Sequence, residues 1–405
     1  MHEYHEAIHI IQHAIENFHF NIDFANWFFY TKLKENYLWR YKMKKTEVDL
    51  NLLSLIQEMS NAFGPSGFEE GPIHVAREFM SDHVHIKEDC LRNLYLYRKE
   101  NTGDKPILML DAHNDEVGFM VHSIRPNGTI RFVTLGGFAA SSLPATKVLV
   151  RNKHGEYLPG IIAAQPVHFM SAEEKNNNTL SISQMSIDVG ATSAKEAMDE
   201  FGIRIGEPIV PDVSFTYDDQ RDVMMGKAFD CRIGGAALME TLRRLEDENL
   251  NVDVIGVLSS QEEVGERGIQ AAVNTIKPDI ALCYEGCPAD DTFTEPYAVQ
   301  TALKKGPMIR FMDTSIICSP RYQRYTLDLA EEKNLMVQAS VREGGGNNGA
   351  IINGCLNGIP VIVMGVPVRY IHSHHGITSY TDFEATVSLA VELIKSLSEE
   401  IIRSF

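Results

Sequence analysis

A histidine and an aspartate follow directly on a short apolar segment in the first third of the chain. Residues 107–110 are apolar, and they lead into the run Asp111-Ala112-His113-Asn114-Asp115. Side chains two positions apart in an extended segment face the same way, so His113 and Asp115 share one side. A carboxylate beside a metal-ligating histidine commonly fixes its tautomer and raises its basicity. The spacing therefore predicts a ligating histidine with its own orienting acid.

A pair of adjacent glutamates, Glu262 and Glu263, ends a second apolar segment, residues 252–258. Neighbouring residues at the end of a strand point in different directions, so one can bind a metal ion while the other accepts a proton. Two buried carboxylates repel each other, and a divalent cation offsets that cost. The pair is typical of a metal-dependent hydrolase, although a single Glu-Glu pair is more often a solvated surface.

Three further candidate ligands adjoin apolar segments: Asp230, Glu285 and His372. Each has an ordinary explanation, since Asp230 could cap a helix over residues 233–245, Glu285 could be a loop acid, and His372 could lie in a polar loop. Their joint occurrence at segment ends is harder to explain by solubility. Two histidines with aspartate and glutamate suit Zn, Co or Mn without a thiolate. The sequence pattern favours a metal hydrolase.

These residues need a scaffold that brings segment ends together, and the order of elements provides one. Helix-like and strand-like segments alternate from residue 49 and again after residue 226, which predicts an α/β domain. Ligands of such sheets bind beyond the carboxyl ends of the strands. Residues 117–220 instead combine Val, Ile, Phe and Thr with repeated turn signals, which predicts a small β domain or barrel. The simplest architecture is one α/β domain interrupted by an inserted β domain.

The first 42 residues differ in composition from the rest of the chain. They contain both tryptophans, and His5, His9 and His13 would lie on one face of a helix. That face could bind a metal ion or simply be polar. Met43 follows, and its continuation is typical of a normal start. We expect residues 1–42 to be an atypical extension and the catalytic chain to begin near Met43.

Composition limits the partners and the compartment. The chain has 405 residues and a formal net charge of −18, which opposes binding to nucleic acid or to anionic membranes. The sequence contains no run of 18 apolar residues without charge, so no transmembrane helix is predicted. The N-terminus lacks the pattern of a signal peptide. Six cysteines without a Cys-x-x-Cys pair favour a reducing compartment. We expect a cytoplasmic protein that binds neither membrane nor nucleic acid.

Seven segments in order resemble the dimetal aminopeptidases that include glutamyl aminopeptidase and the tetrahedral (TET) aminopeptidases, some of which are labelled endoglucanase. The segments are DAHNDEVGF (111–119), DVGATSAKEA (188–197), GKAFDCRIGGAAL (226–238), SSQEEVGERG (259–268), EGCPADDT (285–292), REGGGNNGA (342–350) and PVRYIHSH (367–374). The resemblance implies an α/β/α sandwich metallopeptidase domain with a mixed sheet, formed by residues 43–115 and 226–405. A small β-barrel-like dimerisation domain, residues 116–225, would interrupt it.

The resemblance also implies a role for each matching residue. His113 corresponds to the histidine ligand of one metal ion. Glu285 corresponds to the terminal carboxylate ligand of one of the ions, and it stands where many members have aspartate. Glu263 corresponds to a carboxylate ligand of the opposite ion, and His372 to the second histidine ligand. Asp230 corresponds to the carboxylate that bridges both ions. Glu262 matches the general base, and Asp115 matches the acid that orients His113.

The activity implied by the resemblance is removal of the N-terminal residue of peptides by a water molecule that two divalent metal ions, Zn or Co, activate. A homo-oligomer built from dimers, with a dodecamer as one such assembly, is implied as well. Two departures from the family pattern occur: Asn347-Asn348 replaces Thr-Asp in a loop near the substrate, and Cys231 stands where a polar residue is usual.

Other functions stay open at this point. A related dimetal amidase, such as a deacylase or carboxypeptidase, is the main alternative, and a degenerate non-enzymatic relative is another. A glycosidase would leave both histidines and Asp230 without a role, and both tryptophans lie outside the matched region.

Overall fold

Two helices open the described part of the chain, which in this computed structural model comprises residues 48–172, 175 and 181–405. Helix α1 (Leu50–Asn61) begins after Asp49, whose side chain accepts hydrogen bonds from the backbone N–H groups of Asn51 and Leu52. A Gly/Pro turn then leads into α2 (Glu70–Met80). The predicted N-terminal extension and its histidine face lie outside the described residues.

Three strands precede a segment that closes on itself: β1 (Val84–Glu88), β2 (Leu94–Arg98) and β3 (Ile107–His113). The next six strands form a closed barrel in the order β4-β5-β8-β7-β6-β9, with every neighbouring pair antiparallel. They are β4 (Gly118–Ile124), β5 (Ile130–Leu135), β6 (Lys147–Arg151), β7 (Tyr157–Ile162), β8 (Ile187–Asp188) and β9 (Pro208–Pro211). Short helical turns lie in the connections, among them a π-helical turn at Glu196–Glu200.

After the barrel, helices and strands alternate to the end of the chain. They are β10 (Thr216–Asp218), β11 (Val223–Gly226), α3 (Phe229–Arg244), β12 (Asp253–Ser259), α4 (Arg267–Ile276), β13 (Ile280–Pro288), β14 (Met308–Met312), α5 (Pro320–Glu332), β15 (Gln338–Val341), α6 (Asn348–Gly354), β16 (Val361–Val368), β17 (Gly376–Thr378), α7 (Tyr380–Ser396) and α8 (Glu399–Arg403). Among the described residues, no helix combines the length and apolarity needed to span a membrane.

The central sheet has eight strands in the order β1-β2-β12-β3-β13-β16-β14-β15. Strands β12, β3, β13 and β16 run parallel to one another, whereas β14 is antiparallel to β16 and β2 is antiparallel to β12. This mixed sheet confirms the predicted α/β class. Strands β10 and β11 pair with β17 in a separate small sheet, so the end of the expected insertion lies outside the barrel. The domain boundaries themselves stay a prediction.

Alternate residues of the central strands face two different apolar layers. Leu108 and Leu110 of β3 pack with residues of α1, α3 and α7, whereas Met109 packs with residues of α4 and α6. Side chains of a strand alternate between its two faces, so a sheet covered by helices on both faces has apolar residues at successive positions. The three layers form the expected α/β/α sandwich.

Candidate metal centre

The carboxyl ends of neighbouring parallel strands deliver most of the candidate ligands. Strand β3 ends at His113, which is in register with Ser259 of β12, and Glu262 and Glu263 follow that strand. Glu285 lies within β13, on the other side of β3. Because parallel strands end at the same edge of the sheet, these four side chains converge there.

Asp230 and His372 complete the cluster from two other elements. Asp230 lies in the first turn of α3, where its φ and ψ angles of −86° and 103° are not helical, and a cis peptide bond joins it to Cys231. His372 lies in the loop after β16 with a φ of 55°, in the left-handed region. The expectation that Asp230 could be a simple N-cap does not describe its environment, since its carboxylate contacts two histidines.

The Asp230 carboxylate lies between the two imidazoles, with one oxygen toward each. Its Oδ1 is 3.2 Å from His113 Nε2, and its Oδ2 is 3.3 Å from His372 Nε2. Such a carboxylate has the placement of a bridge between two ligand groups. His113 belongs to the first of these ligand groups. In that group, Glu285 Oε2 lies 3.8 Å and Glu262 Oε2 lies 3.9 Å from His113 Nε2.

The second group is smaller and more open to solvent. Glu263 Oε1 is 3.5 Å from His372 Nε2, and the His372 side chain is 39% exposed, against 2% for His113. Three sets of residues each have donor atoms that lie within 4.8 Å of one another. The sets are His113, Asp230, Cys231 and Glu285; His113, Glu262 and Glu263; and Asp230, Glu263 and His372. Nitrogen and oxygen donors predominate, which fits a borderline divalent ion such as Zn or Co.

Burial and mutual repulsion perturb the acids of the cluster. Burial raises the pKa of the Glu262 carboxyl to about 7, and the charges of Asp230, Asp115 and Glu266 add to it while His113 opposes it. Burial likewise raises the pKa values of Glu263 and Glu285 well above their ordinary range. These shifts express the cost of burying several carboxylates close together, and divalent ions would offset that cost.

The charged forms of Asp230 and of the two histidines are instead favoured by their contacts with neighbouring groups of opposite charge. Burial acts against the charged form of Asp230, but hydrogen bonds from His113 and His372 outweigh it and lower the pKa of the Asp230 carboxyl. Burial would lower the pKa of His372, yet the hydrogen bond to Asp230 and the charge of Glu263 raise it to about 9. The contacts hold Asp230 as a carboxylate, the form that binds metal ions.

Asp115 joins three of the candidate residues, as the sequence predicts for an orienting acid. His113 Nδ1 lies 3.4 Å from Asp115 Oδ1 and 3.2 Å from its backbone carbonyl oxygen. Asp115 Oδ1 also accepts the backbone N–H of Glu262 at 2.9 Å, and Oδ2 accepts that of Glu263 at 3.2 Å. One buried carboxylate therefore positions the histidine and the glutamate pair together.

Two residues of the turn before α2, Ser66 and Glu69, support this arrangement, and neither was selected as a candidate site residue from the sequence. Ser66 Oγ donates to Asp115 Oδ2 at 2.5 Å. Glu69 is buried, and its Oε1 accepts the backbone N–H groups of Gly67 at 2.7 Å and Gln261 at 3.2 Å. In the sequence this segment is only a Gly/Pro turn, because its contacts to Asp115 and Gln261 span 49 and 192 positions.

The departures from the family face internal partners. Asn347 Nδ2 donates to Asp313 Oδ2 at 2.8 Å, and Asn348 Nδ2 donates to Asp111 Oδ2 at 2.8 Å; both asparagines are 1% exposed. Both asparagines are therefore buried and hydrogen-bonded to carboxylates of other elements. Cys231 is buried, and its Sγ lies 3.2 Å from the carbonyl oxygen of Tyr284, as expected for a small filler residue.

All seven predicted site residues thus lie in one cluster. Comparisons with known proteins agree on the family to which the chain belongs. Residues 93–389 match the M42 glutamyl aminopeptidase family. The glutamyl aminopeptidase of Lactococcus lactis subsp. cremoris (strain MG1363) is 30% identical over 355 residues, which cover 87% of this chain and 98% of the relative.

Two solved structures have the same fold. A TET aminopeptidase from Thaumarchaeota archaeon SCGC AB-539-E09 is 36% identical with a TM-score of 0.84, covering 87% of this chain and 98% of its own. The Pyrococcus horikoshii TET1 peptidase, which can assemble into a tetrahedron or a large octahedral shell, is 27% identical with a TM-score of 0.76, covering 85% and 100%. The chain belongs to the M42 glutamyl aminopeptidase family of peptide hydrolases.

Proposed function

We propose that this chain is a dimetal aminopeptidase that releases the N-terminal residue of peptides. The observation that carries the proposal is the Asp230 carboxylate, whose two oxygens lie 3.2 and 3.3 Å from two separate histidines. A bridging carboxylate between two imidazole groups suits two divalent ions, Zn or Co, held close together. His113 and Glu285 would hold one ion, Glu263 and His372 the other, and Asp230 both.

When bound, the ions lower the pKa of a shared water molecule and polarise the scissile carbonyl group. Glu262 accepts a proton from the attacking water, and its Oε2, 3.9 Å from His113 Nε2, lies beside the residues that would hold one ion. The water oxygen forms a bond to the carbonyl carbon, and the C–N bond breaks. Glu262 then returns the proton to the leaving amine, so the residue ends the cycle as it began.

Asp115 has a positioning role in this proposal. It accepts the backbone N–H groups of Glu262 and Glu263, so the base and the neighbouring ligand keep different orientations. Its contact with His113 Nδ1 leaves Nε2 directed at Asp230 and Glu285. The free amino group of a peptide substrate, held by a carboxylate or an ion of the cluster, would restrict cleavage to the first residue.

A substrate comparison tests the proposed reaction. The protein is stripped with a chelator, reloaded with Zn²⁺ or Co²⁺, and assayed on aminoacyl amides with a free amine and on their N-acylated counterparts. We expect hydrolysis of the free-amine compounds only, and only after reloading. Preferential hydrolysis of the N-acylated compounds would instead establish the alternative, a deacylase or other dimetal amidase, and a peptide shortened from its C-terminus would establish a carboxypeptidase.

We further propose a homo-oligomer in the cytoplasm, built from dimers through the barrel segment. Apolar side chains on that segment are exposed, with Phe169 at 77%, Ile205 at 73% and Val167 at 60%. An exposed apolar surface of this kind commonly marks a contact between proteins. The cysteines, six in the whole sequence, are all free, which suits a reducing compartment.

A further inference from the structure

His372 is the least constrained of the candidate ligands. Its side chain is 39% exposed, whereas His113 is 2% exposed and is held through Nδ1 by Asp115. It also lies in a loop with a φ of 55°, next but one to Tyr370 with a φ of 63°. Packing alone does not fix such a side chain, so a ligand at this position needs a partner that orients the ring.

That partner comes from the barrel segment, 235 positions earlier in the chain. His372 Nδ1 donates to the backbone carbonyl oxygen of Gly137 at 2.9 Å. Gly137 lies in the loop that follows β5, defined here as the Gly136-Gly137 loop (residues 136–138). With its Nδ1 proton bonded to Gly137, the ring presents Nε2 to Asp230 Oδ2 and Glu263 Oε1, 3.3 and 3.5 Å away, where Nε2 would bind an ion that these carboxylates hold.

The same loop approaches Glu263 so closely that only glycine fits. A Cβ atom on Gly136 would lie 2.9 Å from Glu263 Oε2 and 2.7 Å from Val117 Cγ1, and the residue has a φ of 85°. A Cβ atom on Gly137 would lie 3.2 Å from His372 Nδ1. Both residues of the second ligand group are therefore in contact with backbone of this loop.

The far end of the loop is fixed in the barrel core. The Phe138 ring stacks on Phe119 with ring centroids 4.7 Å apart and an interplanar angle of 17°. Phe119 of β4 is fully buried, and its ring also contacts Phe132. The loop thus connects a packed barrel to the metal centre over three residues, which gives it a defined position.

We propose that the Gly136-Gly137 loop is a positioning element for the Glu263 and His372 half of the metal centre, so that the barrel segment forms part of the site. The inference rests on the proposed function. It distinguishes the two ions, because the Nδ1 atom of His372 donates to Gly137 of this loop, whereas the Nδ1 atom of His113 faces Asp115. A change in the loop should therefore lower the affinity for the ion held by Glu263 and His372 and leave the affinity for the other ion unchanged.

Two glycine substitutions test this, each with a matched control. Gly137→Ala adds a methyl group against His372, and Gly354→Ala adds one that has no neighbour within 4 Å. Gly136→Ala places a side chain at a φ of 85°, which strains the backbone, and brings its Cβ atom against Glu263. The control Gly155→Ala has the same backbone strain at a φ of 83°, but its Cβ atom has no neighbour within 4 Å. Each full-length protein is loaded with Zn²⁺ alone and dialysed against increasing chelator, and bound metal is measured by elemental analysis.

We expect Gly137→Ala and Gly136→Ala to release one ion per chain at about 10–100-fold lower chelator concentration, the usual effect of losing an orienting partner. The second ion and both control variants should match the wild type. Equal retention of both ions in all four variants would overturn the proposal. If the glycine variants do not fold, Phe138→Leu loosens the loop without adding atoms, and it should release the same ion early; unchanged retention would refute the loop's role.

The same titration separates failure of this inference from failure of the proposed function. Glu263→Gln removes a direct ligand, so it should lose the ion that the loop variants weaken. A wild-type chain that holds fewer than two ions would refute the dimetal assignment itself, and a Glu263→Gln variant that holds both ions would refute the role of Glu263 as a ligand. A two-ion wild type with an unaffected Gly137→Ala variant would refute only the role of the loop.

Discussion

The adjacent glutamates offer the sharpest test of the proposed mechanism, because the same substitution should have different effects at the two positions. Glu263 Oε1 lies 3.5 Å from His372 Nε2 in the second ligand group, and Glu262 Oε2 lies 3.9 Å from His113 Nε2. Glutamine keeps the size of glutamate and removes its charge. Glu262→Gln should therefore keep both ions, whereas Glu263→Gln should lose one or bind it far more weakly.

The expected loss of rate follows from the role of the base. General base catalysis contributes about 10²–10⁴-fold, which corresponds to about 2.7–5.4 kcal/mol of transition-state stabilisation. Glu262→Gln should lower kcat by about that factor, since an amide cannot accept the proton of the attacking water. The assay combines turnover of a free-amine aminoacyl substrate with metal content by elemental analysis on the same sample.

A third glutamate supplies the control for the loss of charge. Glu266 lies on the same loop and is half-buried, and it belongs to none of the candidate ligand groups. Glu266→Gln should keep both ions. Full turnover of Glu262→Gln, or metal loss from Glu262→Gln while Glu263→Gln stays loaded, would refute the assignment of the pair. If neither variant changes either property, the dimetal mechanism is wrong.

Three further outcomes are expected. A protein that starts at Met43 should fold and stay active, because every site residue follows it; loss of soluble protein or activity would make the extension integral. Light scattering at micromolar concentration should show a homo-oligomer, and a monomer would contradict the proposed assembly. Glu116→Gln should lower the free energy of unfolding by about 3–5 kcal/mol in denaturant titrations. The reason is that buried Lys227, whose Nζ lies 2.6 Å from Glu116 Oε2, would lose its counter-charge. A decrease below about 1 kcal/mol would show that the pair is dispensable for stability.

The sequence could predict the convergence of ligands because that convergence depends on one regular element. Apolar segments that lead to His113, Glu263 or Glu285 become neighbours once β12, β3 and β13 run parallel. The structure has this arrangement, because Ser259 is in register with His113 and Cys283 is in register with Asp111. Local composition was sufficient to recognise such strands. The roles of the individual ligands stay predictions until metal content and turnover are measured.

The supporting contacts could not be predicted in the same way. Ser66, Glu69 and Gly137 act through single hydrogen bonds between irregular segments that are far apart in the chain. A serine or glycine in a turn has a local explanation, and neither its type nor its spacing reveals which distant atom it contacts. The end of the insertion was indistinct for a related reason, because β10 and β11 look like further barrel strands but pair with β17.

The balance of charge connects these observations. Asp230, Glu262, Glu263 and Glu285 bring four carboxylates into one cluster, and the cations near it are engaged elsewhere. Arg310 is 2.9 Å from Asp313, and Lys227 is 2.6 Å from Glu116. Histidines that bind metal ions are neutral, so two divalent ions would balance the charges of these four carboxylates. The fifth acid of the cluster, Asp115, faces His113 Nδ1. The raised pKa values of the glutamates are then the cost of the metal-free state, and the ions that perform the chemistry also stabilise the site.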